Sequence, residues 1–470
     1  AAEPDAGLLA FRQVSEALGE SPWYLRLLRD ETKAAERMAH VLASSRYVTG
    51  LLLRAPDAVA MFADDAELAP RSLTALRTEM MAAAQRYEDD AEAAVSAIRS
   101  VRRRELLRIA AADVLGVPGG TTPPYPPAVS PSSGGTHPPG PPLQGLDATG
   151  EALTGVTRAT VQAALDVAIR KVSAELRRPL PTRFAVIAMG RFGGHECGYG
   201  SDADVLFVHD PIPGQPEREA SDTAHAVAAE LRRLLALPVP DPALVVDADL
   251  RPDGRQGPLV RTLAAYRAYY RGRSAPWEAQ ALLRAEPAAG DEELIARFIR
   301  MIAEFRYPLD GIEPAAVREI RRIKARVEAE RIPRGADRAL HVKLGPGGLS
   351  DVEWTIQLLQ LQHAYAVPAL RTTRTGEAMA VAVQDGLLPA DDAAALMAAW
   401  QLAARIRNAI VLVRGSWDRL ADTLPTRHRE LTAVARLLGY PPGDAAQALE
   451  QDYRRAARRA RAVMEPLFYG

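Results

Sequence analysis

The stretch MGRFGGHECGYGSDADVLFVHD, residues 189–210, decides how this chain is read. Val205, Leu206, Phe207 and Val208 are apolar and β-prone, so the run after Ser201 is expected as a strand. Side chains two apart on a strand share a face, which sets Asp202 beside Asp204. Two carboxylates that close repel unless a cation lies between them, and a hard divalent cation such as Mg²⁺ takes oxygen ligands. Just upstream, Gly193 and Gly194 form a turn whose backbone amides can approach phosphate oxygens. Glycines for phosphates and paired aspartates for a metal are the equipment of nucleotidyl transfer.

A third carboxylate follows in ALVVDADLRPDGRQGPLV, residues 243–260, where a second β-like run ends at Asp247 and Asp249. Either side chain reaches the same site if the two strands are neighbours. Two metal ions on three carboxylates can activate an attacking oxygen and stabilise a leaving one at phosphorus. An isolated Asp-x-Asp is common at polar strand ends. The order Gly-Gly, Ser-Asp-x-Asp, then Asp before Leu-Arg-Pro is much harder to obtain by chance.

Taken together, Gly190, Arg191, Phe192, Gly193, Gly194, Glu196, Tyr199, Ser201, Asp202 and Asp204 resemble the DNA polymerase β-like nucleotidyltransferases. Within that superfamily they resemble the glutamine-synthetase adenylyltransferase family. Val246, Asp247, Leu250, Arg251, Pro252 and Gly254 match the family's later motif. KLGPGGLSDVEWTIQLLQL (343–361) and RRRELLRIAAADVLG (102–116) resemble its flanking segments, so the likeness covers most of the chain. Cys197 stands where the family carries Leu or Met, and free Cys packs like a small hydrophobe. Asp249 stands where Arg is common, and the motif favours Asp247 over it as the third ligand.

The resemblance implies the following. Mg²⁺ binds Asp202, Asp204 and Asp247, which are also the catalytic residues, and ATP is the substrate. Gly193 and Gly194 meet the triphosphate, with Ser201, Arg191 and Arg251 as further contacts; for both arginines a structural ion pair is an equal alternative. The acceptor is a tyrosine of glutamine synthetase, in regulation of nitrogen assimilation, with a PII-type protein as a possible second partner. Family members run to twice this length in two related halves, one adding AMP and one removing it by phosphorolysis. ECGYGSDADVLFVHD resembles the adding, C-terminal half of an actinobacterial-like enzyme. Alternatives are the removing activity, transfer to a PII-type regulator, and a non-catalytic binding module.

The expected fold is α/β but mostly helical, a polymerase β-like domain between two helical regions. Helical pattern fills 1–116. Residues 117–146 are a Pro/Gly-rich stretch expected as a disordered insertion, 147–310 the catalytic domain, and 311–470 a helical bundle. A helix is expected at 223–237, capped by Ser221 or Asp222. In WEAQALLRA (277–285), Trp277, Leu282 and Leu283 read as core, and Glu278, Gln280 and Arg284 either face the nucleotide or lie on a solvated face. Glu196 reads as a structural partner, and Lys343 as either a nucleotide contact or part of a glycine-rich turn. His209 has no His or Cys nearby that would complete a zinc site.

A net charge of −1 gives no basic field for nucleic acid. One Cys excludes an internal disulfide framework and fits a cytoplasmic location. No signal peptide and no run of the ~20 apolar residues a membrane helix needs is expected. Only Lys33, Lys171, Lys324 and Lys343 are lysines, a usage typical of GC-rich genomes. Deleting 118–142 is expected to leave thermal stability and transfer activity nearly unchanged, since surface loops tolerate length changes at little entropic cost. A large loss of activity in that deletion would assign the stretch a binding role.

Overall fold

The computed structural model describes residues 4–19, 21–117, 146–333, 335–416 and 419–470. The Pro/Gly-rich stretch at 118–142 lies outside them. The described chain is mostly helical around one small mixed sheet.

Five strands build the sheet: β1 (Thr182–Ala188), β2 (Ala203–Pro211), β3 (Val246–Asp247), β4 (Val260–Thr262) and β5 (Glu286–Gly290). The order is β3-β2-β1-β5, and β4 also pairs with β2. β1 runs antiparallel to β2 and β5, whereas β3 and β4 run parallel to β2. The two central strands are apolar on both faces. Phe184, Val186, Val205 and Phe207 face the large core shared with the flanking helices. Ala185, Ile187, Leu206 and Val208 face a second core built on Tyr266, Tyr270, Phe298 and Ile302. The period of two along each strand sorts residues between these cores, as a sheet covered on both faces requires.

The N-terminal region is helical as expected. Its last helix, Ala91–Leu115, starts where the Asp90 carboxylate accepts from the Glu92 and Ala93 amides and stops at Gly116 in a left-handed conformation. The long helix Leu146–Leu176 packs against it and against Leu73–Gln85. The helix expected at 223–237 begins earlier, spanning Glu217–Leu235. Ser221 and Asp222 are therefore interior and cap nothing. Pro216 precedes the first turn, and Glu217 and Glu219 supply the negative charge that a helix start favours.

After β5 all described elements are helices or helical turns, apart from one isolated bridge between His341 and Thr423. Helix Ala390–Arg414 is long and apolar enough to cross a membrane by length and composition alone. Here Leu396, Trp400, Ile406 and Ile410 are buried against neighbouring helices.

In helix Pro276–Leu282 the expected faces hold only in part. Trp277 is only half-buried, while Glu278 and Gln280 are buried. Glu278 accepts from the Tyr269 hydroxyl at 3.0 Å and from the Ala275 amide at 2.7 Å. Gln280 donates to Gln357 at 2.8 Å. A buried polar group seeks a partner; Glu278 and the Gln280 amide nitrogen have theirs inside the protein, while Gln280 Oε1 is buried without one. Leu282 and Leu283 are core, as expected.

Candidate active site

The site grows from the edge where β3 joins β2. Ala203 donates its amide to the Val245 carbonyl at 2.8 Å, which starts the parallel pairing. That register sets Asp204 directly beside Asp247. Neighbouring strands lie about 4.8 Å apart, so the two carboxylates share one face at close range. Asp202 sits one residue ahead of β2 rather than on the strand.

Electrostatics report the crowding. Burial first, then the Asp247 charge, pushes the Asp204 carboxyl up to about 7. Asp202 is raised for the same two reasons in the same order. Lys343, on the segment before helix Leu349–His363, is the cation that opposes both shifts. Its own ammonium is pushed down, by burial and then by Arg407. The C-terminal helical region therefore carries a half-buried positive charge to the aspartates. Of the two readings offered for Lys343, a nucleotide contact or part of a glycine-rich turn, its place beside the aspartates favours the first.

Asp249 has a different setting. It pairs with exposed Arg255 at 2.5 Å and lies 3.6 Å from Arg251. Its amide donates to Asp247 Oδ1 at 2.7 Å, so the Asp-Ala-Asp turn braces Asp247 from behind. The geometry brings Asp202, Asp204 and Asp247 together and engages Asp249 elsewhere.

The glycines have packing reasons. Gly190 lies in the left-handed region (φ +51), and a Cβ there would collide with the Asp204 carboxylate. A Cβ on Gly193 would strike the Arg284 carbonyl, and one on Gly194 the Arg284 guanidinium. The amides of Gly193 and Gly194 already donate, at 2.8 and 3.0 Å, to Met189 and Gly190. The two glycines expected to offer amides to phosphate thus have them engaged within the turn.

The other expected contacts are likewise held by protein. Ser201 Oγ accepts the Gly198 amide at 2.8 Å. Arg191 donates to the Glu196 carbonyl at 2.8 Å and pairs with Glu353 at 2.9 Å. Arg251 donates to the carbonyls of Gly257 and Ala248. Glu196 is the structural partner expected of it. It takes the Arg284 guanidinium at 2.7 Å and the Thr375 amide at 2.8 Å, tying the turn to the C-terminal helices. Cys197 is buried and its thiol is pushed up to about 11 by burial, as suits a packing residue. His209 is buried between Thr182 and Ser221, and burial lowers it to about 4.

Tyr199, just before the aspartates, donates its hydroxyl to buried Asp113 on helix Ala91–Leu115, and Thr149 donates to the same carboxylate at 2.9 Å. Burial raises Asp113 from 3.8 to about 6, against those two donations. A raised acid binds more protons folded than unfolded between those values. Its contribution to stability is therefore complete below about 3.8 and is lost as pH rises through about 6. The melting temperature of wild type minus that of Asp113→Asn should fall from pH 4 to pH 7 and then level off. A difference independent of pH would contradict this account.

Among the described residues, no three His, Cys, Asp or Glu side chains converge closely enough to hold a metal ion by themselves. The donor set nevertheless fits a hard cation. It is all oxygen, negative, and visibly undercompensated at Asp204. Mg²⁺ ordinarily takes one or two carboxylates and completes its shell with water and phosphate oxygens.

Comparison with known proteins shows the family of the chain. The family model for glutamate-ammonia ligase adenylyltransferase matches residues 35–119 and 143–301, more than half of the chain. The chain belongs to that family. A second model, for PII-uridylyltransferase, matches residues 321–468, the helical part after the sheet. Bifunctional glutamine synthetase adenylyltransferase/adenylyl-removing enzymes are similar along the whole length. The one from Streptomyces coelicolor is 55% identical over 100% of this chain and 45% of its own length. Those from Nocardia farcinica and Mycobacterium tuberculosis are 49% and 47% identical, over 99% and 100% of this chain and 44% of theirs. The chain thus spans under half the length of these relatives.

Proposed function

We propose that this chain transfers the adenylyl group of ATP to a tyrosine hydroxyl of glutamine synthetase and releases pyrophosphate, as one half of a two-activity regulator of nitrogen assimilation in the cytoplasm. The observation that carries the reading is the register of Asp204 with Asp247 beside Asp202, within a chain of this family. We assign the sheet and its helices to the polymerase β-like nucleotidyltransferase class. The helices before and after it serve as flanking domains.

Asp202, Asp204 and Asp247 would hold Mg²⁺, which when bound neutralises phosphate charge and favours the ionised form of an attacking oxygen. The chain's own groups do the rest. A phenol has a pKa near 10 in water, so the acceptor needs a base at neutral pH, and a carboxylate of this cluster takes its proton. The phenol oxygen bonds to the α-phosphorus, the bond to the β-phosphate breaks, and pyrophosphate leaves with its electron pair. Lys343, whose charge acts on Asp202 and Asp204, would offer positive charge to the developing negative oxygens. The turn at Gly190 presses against Asp204 and holds that carboxylate in one orientation.

The direction of the reaction tests the assignment. With unmodified glutamine synthetase, Mg²⁺ and ATP, the chain should add AMP. With adenylylated glutamine synthetase and phosphate alone, it should release little ADP. The reverse pattern would make it the removing half. Transfer to a PII-type protein in place of glutamine synthetase would move the acceptor.

A further inference from the structure

A cavity of about 460 Å³ borders Asp202, and neither Gly190, Asp204, Asp247 nor Lys343 is among the residues lining it. It therefore touches one end of the aspartate cluster from outside the proposed phosphate side. Tyr47 and Tyr199, with ring centres 5.5 Å apart, give it an aromatic wall, and Leu51 and Val245 add apolar surface. Val245 is 53% exposed and Arg54 is exposed, so the mouth lies at the surface.

The walls are fixed before anything binds. Helix Arg46–Leu52 is anchored where Ser45 donates to the Leu412 carbonyl at 2.8 Å. The loop before β3 is pinned to helix Ala91–Leu115 by Arg99, bonded to the Leu237 carbonyl at 2.6 Å, and by Arg102, bonded to the Pro242 carbonyl at 3.0 Å. Asp241 in the same loop is taken up by Arg103.

Charge is left over in this frame. Arg102 is 7% exposed, its Nε is buried without a hydrogen-bond partner, and it forms no ion pair among the described residues. Arg54 at the rim has no ion pair there either. A buried guanidinium with no carboxylate is costly unless a ligand supplies one. The cavity thus combines an aromatic and apolar wall, two cations without ion pairs, and two carboxylates, of which Asp241 is paired with Arg103 and Asp202 stands at the edge of the catalytic cluster.

We propose that this cavity is the acceptor subsite. It receives an aromatic hydroxyl side chain carried on a protein segment, pairs a neighbouring carboxylate of that segment with Arg54 and Arg102, and presents the hydroxyl to Asp202. The proposal rests on the adenylyl-transfer reading above. It divides the site between a nucleotide side, with Lys343 and the Gly190 turn, and an acceptor side contributed largely by the N-terminal helices.

Two variants test it. At Gly50 an added Cβ meets nothing within 4 Å, and the residue sits in a helix, where replacing glycine is favourable. Gly50→Phe therefore fills the cavity without a backbone clash. Arg54→Glu reverses the rim charge at an exposed position. Each should lower kcat/KM for glutamine synthetase by on the order of 10-fold or more, in Arg54→Glu mainly through KM. Binding of a fluorescent ATP analogue should be unchanged in both, and thermal melts should match wild type. If wild type labels glutamine synthetase and both variants do so with wild-type constants, the acceptor-subsite assignment falls while adenylyl transfer stands. Loss of nucleotide binding in folded Gly50→Phe would give the cavity to ATP and overturn the assignment too. Should Gly50→Phe fail to fold, the surface variant Arg54→Glu decides alone. Wild type that labels nothing defeats the underlying reading.

Discussion

Asp204→Asn is expected to fold normally and to lose AMP transfer to glutamine synthetase by on the order of 10²-fold or more. The side chain is half-buried, abuts Gly190, and is raised to about 7 by desolvation and then by Asp247. Asparagine keeps the shape and removes a charge that the metal-free protein holds at a cost, so the melting temperature should hold or rise slightly. Catalysis responds in the opposite sense, because the negative cluster is what would gather a divalent cation and the triphosphate. Asp202→Asn and Asp247→Asn should behave alike. Asp249→Asn should change transfer little, since that side chain is occupied by Arg255 at the exposed edge. Label incorporation, measured beside a thermal melt, checks all four. Wild-type rates in folded Asp202 and Asp204 variants would refute the assignment. Equal and severe losses at Asp247 and Asp249 would remove the distinction drawn between them.

Glu196→Ala should produce the largest loss of stability, about 3–5 kcal/mol. Arg284 is buried, and its guanidinium is held by Glu196 at 2.7 Å and by the Thr375 hydroxyl at 2.7 Å. Removing Glu196 takes away the carboxylate bonded to that charge, leaving only the more distant Glu353, and leaves the Thr375 amide without its acceptor. A buried cation that loses its directly bonded carboxylate costs far more than the pair contributed when intact. Gly193 and Gly194 pack on Arg284 at the same point, so the glycine turn should loosen with it. Equilibrium urea unfolding measures the change. A loss under about 1 kcal/mol would mean that water replaces Glu196 and that the contact is peripheral.

The catalytic strands were legible because their signal is local. Alternation between two apolar faces and a polar strand end define β1 and β2 without reference to the rest of the chain. The neighbouring strand at Asp247 was legible through its motif, and the register with Asp204 bears out the expectation that the two would lie side by side. Roles that depend on distant partners were not legible. Nothing near Arg191 announces Glu353, and nothing near Arg284 announces Glu196. Gly193 and Gly194 looked like a phosphate cradle because glycine permits close approach of any group. Here the group that approaches is Arg284. The buried polar residues of helix Pro276–Leu282 have the same origin, since Glu278 and Gln280 meet Tyr269 and Gln357 from other elements. The acceptor-side cavity joins N-terminal helices to the loop before β3, and no pattern within either segment marks it.

The account turns on which phosphorus is attacked. Glutamine synthetase should be incubated with this chain, Mg²⁺ and ATP labelled either at the α- or at the γ-phosphate. The account predicts stoichiometric labelling of glutamine synthetase from α-labelled ATP only, with the γ-label leaving as pyrophosphate. Label arriving from the γ-phosphate, or no label from either, would contradict it.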